Sequence, residues 1–72
     1  MTTSAQQLTG ISDTIINLTS VFYHAAEGWQ LYAKYIEDAE REGDTELVEF
    51  FREVQQQDAQ RAQKAKSLLA RR

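Results

Sequence analysis

The chain has 72 residues, 8 Lys and Arg against 11 Asp and Glu for a formal net charge of −3, and neither Cys nor Pro. A chain of that length is one small domain whose core is expected to contribute only ~3–5 kcal/mol net, and without Cys there is no disulfide, Cys-based zinc site or thiol chemistry to supplement it. The mild negative charge argues against general nucleic-acid binding, and no apolar run approaches the roughly 18 residues of a membrane span. Met1 to Gly10 also lacks the basic-then-apolar order of a secretory leader. The expectation is a cytoplasmic protein that does not engage membranes and relies on oligomerisation for stability.

Ala, Gln, Glu, Leu, Lys and Arg dominate, which predicts an all-α fold. Residues 1–10 carry weak signals and are expected to form a flexible N-terminal segment. Residues 11–72 read as a single domain made of one helical hairpin. Ser12 or Asp13 can cap the first long helix, about 11–42. Its inward positions, spaced alternately four and three, are Ile11, Ile15, Leu18, Phe22, Ala25, Trp29, Tyr32, Ile36 and Ala39. A second stripe flanks them at Val21, His24, Gly28, Leu31 and Tyr35. Two apolar stripes call for two neighbours, and a hairpin supplies only one.

Gly43 suits the left-handed position after a helix end, and Asp44 or Thr45 can cap the next helix. A turn at 43–45 is too short for anything but an antiparallel hairpin. The second long helix runs over about 45–70, with inward positions Leu47, Phe51, Val54, Asp58, Arg61, Ala65 and Leu68. The second stripe of the first helix then predicts a homodimer, two hairpins forming a four-helix bundle, with a higher oligomer as the alternative. Charge is segregated along this hairpin. Residues 37–49 hold seven carboxylates and only Arg41, whereas residues 61–72 hold five cations and no acid. Two hairpins paired head to tail would set acidic tips against basic ends, although cations also suit a helix C-terminus without any partner.

Asp58 and Arg61 stand three apart in the middle of an otherwise apolar stripe. Charge at a core position is costly unless it is paired, hydrated or used. The pair is expected to form a salt bridge within the helix or across the dimer, setting register as buried polar residues do in coiled coils. The bland alternative is that both reach the edge of the interface and are hydrated.

The stretch from Phe22 to Leu69 resembles one half of a rubrerythrin-type ferritin-like bundle. The features are an Ala-rich helix with Tyr32, then Ala39, Glu42-Gly43, the apolar pair Leu47/Phe51, and Ala62-Gln63-Lys64-Ala65-Lys66-Ser67-Leu68-Leu69. Aligned on the Glu-Gly turn, the resemblance puts the family's first-helix glutamate on Ala25, the Glu of its Glu-x-x-His on Asp58 and the His on Arg61. Ala25 has no ligand atom, and Arg61 is a permanent cation where an imidazole should stand. A di-iron site in such bundles needs a Glu from each of two helices and Glu-x-x-His from each of the other two. The resemblance therefore implies a ferritin-like bundle without its redox centre, with an ion-pair network in the place of the metal.

No other motif marks chemistry. His24 and Asp58 are the weak metal candidates, but a metal needs several converging ligands, and His24 is expected instead to hydrogen-bond a carboxylate of the second helix. Phe22, Trp29, Tyr32, Tyr35 and Phe51 are expected core and dimer aromatics, with Asp58 an acceptor available to a tyrosine hydroxyl. Gly28 permits close helix approach or leaves a small cavity. Arg71-Arg72 could touch an acidic partner. There is no Gly-rich phosphate loop and no Ser/His/Asp set. The expected function is a small non-enzymatic interaction module, without cofactor, acting as a homodimer. The alternatives are an iron- or other metal-handling ferritin-like protein using Asp58 and His24, and an adaptor that binds an as yet unknown protein through its basic C-terminal end.

Overall fold

A computed structural model describes residues 5–72. It is 88% helical with no strand, in the order α1 (Ala5–Thr9), α2 (Asp13–Arg41) and α3 (Thr45–Ala70). The short helix α1 stands where the sequence predicts an unstructured segment; residues 1–4 of that segment lie outside the described residues. Gly10, at φ 77°, breaks the chain after α1, and Ile11 donates its backbone N–H to Thr9 Oγ1. Ile11 thus precedes the helix and is exposed, not inward.

Local chemistry explains both ends of the hairpin. Ser12 caps α2, its hydroxyl accepting from Ile15 N at 3.3 Å. At the other end Gly43 adopts φ 70°, a conformation that costs a residue with a Cβ ~1–2 kcal/mol. This lets Gly43 N reach Glu40 O and Asp44 N reach Ala39 O, both at 3.0 Å, the two bonds of a Schellman motif. Asp44 then caps α3 through Leu47 N at 3.1 Å. Asp44 therefore satisfies one carbonyl leaving α2 through its backbone N–H and two amides entering α3 through its side-chain and backbone oxygens.

The two long helices pack antiparallel in a single layer. The molecule measures 51 × 29 × 14 Å, with a radius of gyration of 16.4 Å, against about 11 Å expected for a compact chain of this length. The buried apolar residues are Ala25, Ile36, Ala39, Val48 and Ala65, and no large side chain among the described residues is fully enclosed. Ile36, Ala39 and Val48 form the main cluster near the turn, with Phe51 against it.

Besides Ile11, three residues predicted as inward, all within the long helices, sit elsewhere. Leu47 is 38% exposed while its neighbour Val48 is buried. Trp29 is 45% exposed, and the Arg61 side chain is 52% exposed. The cause is common to all three. A supercoiled helix repeats about every 3.5 residues, so alternate inward positions fall between two residues. Counted from Ala25 and Asp58, those divided positions include Gly28/Trp29 and Tyr35/Ile36 on α2, and Leu47/Val48 and Arg61/Ala62 on α3. In each of these four pairs one residue is the more buried, and the other turns to one of the hairpin's two broad faces.

Candidate functional site

Asp58 is the one buried charged residue among those described, 9% exposed. It lies midway along α3, opposite Gly28, itself midway along α2. A Cβ placed on Gly28 would stand 2.5 Å from Asp58 Oδ2 and 3.3 Å from its Cγ. Glycine is therefore what lets the carboxylate lie between the helices, and the close approach expected at Gly28 has its cause in this side chain. Arg61, one turn on, donates to Asp58 Oδ1. Of the two forms expected, within the helix or across a dimer, the single chain contains the first, with a buried acid and a base reaching into solvent. Among the described residues no tyrosine hydroxyl reaches Asp58; Arg61 is its partner.

Gly28→Ala is expected to forfeit the roughly 1 kcal/mol that Ala offers over Gly inside a helix, because the new methyl displaces a carboxylate tied to Arg61. In an Asp58→Ala background the same change should stabilise by about that amount. Urea midpoints of the four proteins measure the coupling, and additive effects would sink the contact.

The expected carboxylate partner of His24 is not there. His24 is exposed and stands edge-on to Tyr23, centroids 5.9 Å apart. Among the described residues no three His, Asp or Glu side chains converge as metal ligands would. The aromatics divide. Tyr32, Tyr35 and Phe51 form one cluster, with centroid separations of 5.2 Å for Tyr32–Tyr35, 5.8 Å for Tyr35–Phe51 and 6.4 Å for Tyr32–Phe51. Phe22 is half-buried. Trp29 turns to the other broad face, lining an open groove of about 290 Å³ with Ala25, Ala26, Ala59 and Ala62. On that face Gln55 donates to Trp29 O at 2.9 Å.

The face bearing Tyr35 is the more apolar. At 3.6 residues per turn, Val21, His24, Gly28, Leu31 and Tyr35 share it with Leu47, Phe50, Val54, Arg61 and Leu68. Val21, Leu31, Tyr35, Leu47 and Phe50 are each between 38% and 55% exposed. The α2 half of this surface is the second stripe of the sequence analysis. The α3 half was missed, although the same count applied one residue off the inward series finds Phe50.

Near the turn, Asp38 takes a 2.7 Å bond from Lys34 and an ion pair from Arg41. The Lys34 hydrogen bond, then the Lys34 and Arg41 charges, hold its carboxyl below the usual aspartate range. What this exposed cluster contributes to stability is present above that range and fades as pH falls through the lowered value. Glu40 pairs with Arg52 across the two helices. By contrast Lys64, Lys66 and Arg71 meet no carboxylate among the described residues. No helix among those residues is long and apolar enough to cross a membrane.

No protein-family model matches the chain, and neither the curated proteins nor the solved structures compared with it contain a match.

Proposed function

We propose that the chain is a non-enzymatic helical interaction module acting as a homodimer, two hairpins stacked on their apolar broad faces as a ferritin-like four-helix bundle. The observation that carries this reading is the exposed row Val21, Leu31, Tyr35, Leu47 and Phe50 on a molecule only one helix layer deep. Stable domains bury such faces between two layers. The exposed area agrees. It is 5669 Å², where a compact monomer of this mass would expose about 4,600 Å². The excess is about 1,100 Å², comparable with the ~800 Å² that each partner contributes to a standard interface.

In this dimer the Asp58–Arg61 pairs serve specificity. Each puts an exposed base, tied to an acid buried between the helices, at the centre of an otherwise apolar face, and a polar element so placed can fix one register. The metal-handling alternative has less support, because Arg61 and Ala25 supply no ligand where the resembled family needs them.

Sedimentation of protein purified without chelator, combined with metal analysis, tests the reading. The expected result is twice the chain mass at micromolar concentration with no stoichiometric metal. A monomer at that concentration would refute the homodimer. Stoichiometric iron or manganese that disappears in Asp58→Ala would refute the metal-free reading.

A further inference from the structure

We infer that the homodimer encloses a small tetrahedral oxyanion, of the phosphate or sulfate class, in a cationic window at the middle of its interface. The inference rests on the homodimer proposed above and adds a ligand to it. Three observations carry it.

The first is a change of chemistry within the apolar face. The Gly28–Asp58 contact marks one level along the hairpin. One turn toward the open end stand His24 on α2 and Arg61 on α3, level with each other because the helices run antiparallel. The same helical phase brings Gln57 and Lys64 onto this face. Leu31 and Val54 bound the window toward the turn, and Val21 and Leu68 toward the open end. Glu27, the acid nearest in sequence to His24, points from the side of α2 turned away from α3. Asp58 is therefore the window's one carboxylate.

The second is that the window's donors are unfilled. Arg61 makes a single bond, to Asp58 Oδ1, and its side chain is 52% exposed. Most of the guanidinium's N–H groups are left for another acceptor. Lys64 meets no carboxylate among the described residues. His24 touches only the ring of Tyr23, and an imidazole always has at least one N–H to donate.

The third is the charge that stacking would enclose. Arg61 and Lys64 against Asp58 leave a net +1 on each copy and +2 on the dimer. Buried charge of one sign is costly until an opposite charge joins it. Gly28 and Asp58 lie near the midpoints of α2 and α3, and the window is only one turn, about 5 Å, beyond them. Two hairpins stacked along their full length thus bring their windows together in either orientation. A tetrahedral dianion fits what they present. Guanidinium forks hold two oxygens at once, and the ammonium, imidazole and amide groups serve the rest. The surrounding apolar side chains close the chamber, which selects a free ion over the phosphoryl group of a larger molecule.

A ligand held only by the dimer tightens the dimer. Sedimentation equilibrium at pH 7 in matched ionic strength compares chloride with phosphate, sulfate and adenosine monophosphate. About 10 mM phosphate is expected to lower the dimer dissociation constant about tenfold, as for a site of ~1 mM affinity, with sulfate acting alike. Adenosine monophosphate should act no more than chloride does. Arg61→Gln should remove the phosphate effect. Lys64→Gln, which leaves the Asp58–Arg61 pair intact, should reduce it severalfold. Equal dissociation constants in phosphate and chloride would overturn the site and leave the homodimer standing. Tightening that survives in both variants, or that adenosine monophosphate matches, would overturn the enclosed site as well. A monomeric mass in every salt would remove the homodimer and the site with it.

Discussion

Leu31→Glu is expected to convert the proposed homodimer to a monomer at micromolar concentration while leaving the hairpin helical. Leu31 is 50% exposed in the single chain, so the hairpin gives up little of its own packing. In the dimer the loss counts twice, once for each copy. Removing two buried leucines costs about 3–6 kcal/mol, roughly a hundredfold to ten-thousandfold in dissociation constant. Gln30→Glu, on the side of α2 that lines the Trp29 groove, adds the same charge and should leave the dimer intact. Sedimentation and far-UV circular dichroism of both variants decide the matter. A dimer that survives Leu31→Glu unchanged would mean that the apolar face is not the interface.

Ile36→Ala is expected to have the largest effect on the hairpin itself. Ile36 is the bulkiest of the five buried apolar residues, 9% exposed, and packs with Ala39, Val48 and Phe51 beside the turn. Deleting its outer carbons should cost about 2–3 kcal/mol, the low end for Ile→Ala because the site borders solvent. A domain of this size has only ~3–5 kcal/mol to lose, so urea unfolding at fixed protein concentration should show most of its stability gone. A midpoint unchanged from the parent would show that the Ile36 cluster is not what joins the two helices.

The sequence was legible wherever an inward position coincides with one residue. Ala25, Ala39, Asp58 and Ala65 are buried as the count predicts, and Leu18, Tyr32 and Phe51 are partly so. The hairpin ends were legible too, because Ser12, Gly43 and Asp44 act through short-range backbone bonds that depend on residue type alone. At the divided positions hydropathy cannot choose. Leu47 and Val48 are both apolar, and only the neighbour across the helix pair selects one. At Gly28/Trp29 the larger residue is the better apolar candidate by composition, yet the interior goes to glycine because Asp58 occupies the space. Arg61 yields to Ala62 for the opposite reason, since its charge reaches water while it keeps hold of Asp58. The helix α1 had no legible signal. Its five residues lie below the length at which propensity alone holds a helix.

The Gly43-Asp44 turn has a kinetic consequence. Its bonds span at most five residues, so closing the hairpin gives up little loop entropy. The cross-helix contacts nearest the turn, Ala39 with Val48 and Tyr35 with Phe51, can then form in sequence outward from it. A chain with such local contacts folds in microseconds to milliseconds, faster than proteins at micromolar concentration meet. In the proposed homodimer the apolar face is thus complete before the second copy arrives, and association is the docking of finished surfaces. Protein concentration then governs the rate of pairing and leaves the rate of hairpin formation unchanged.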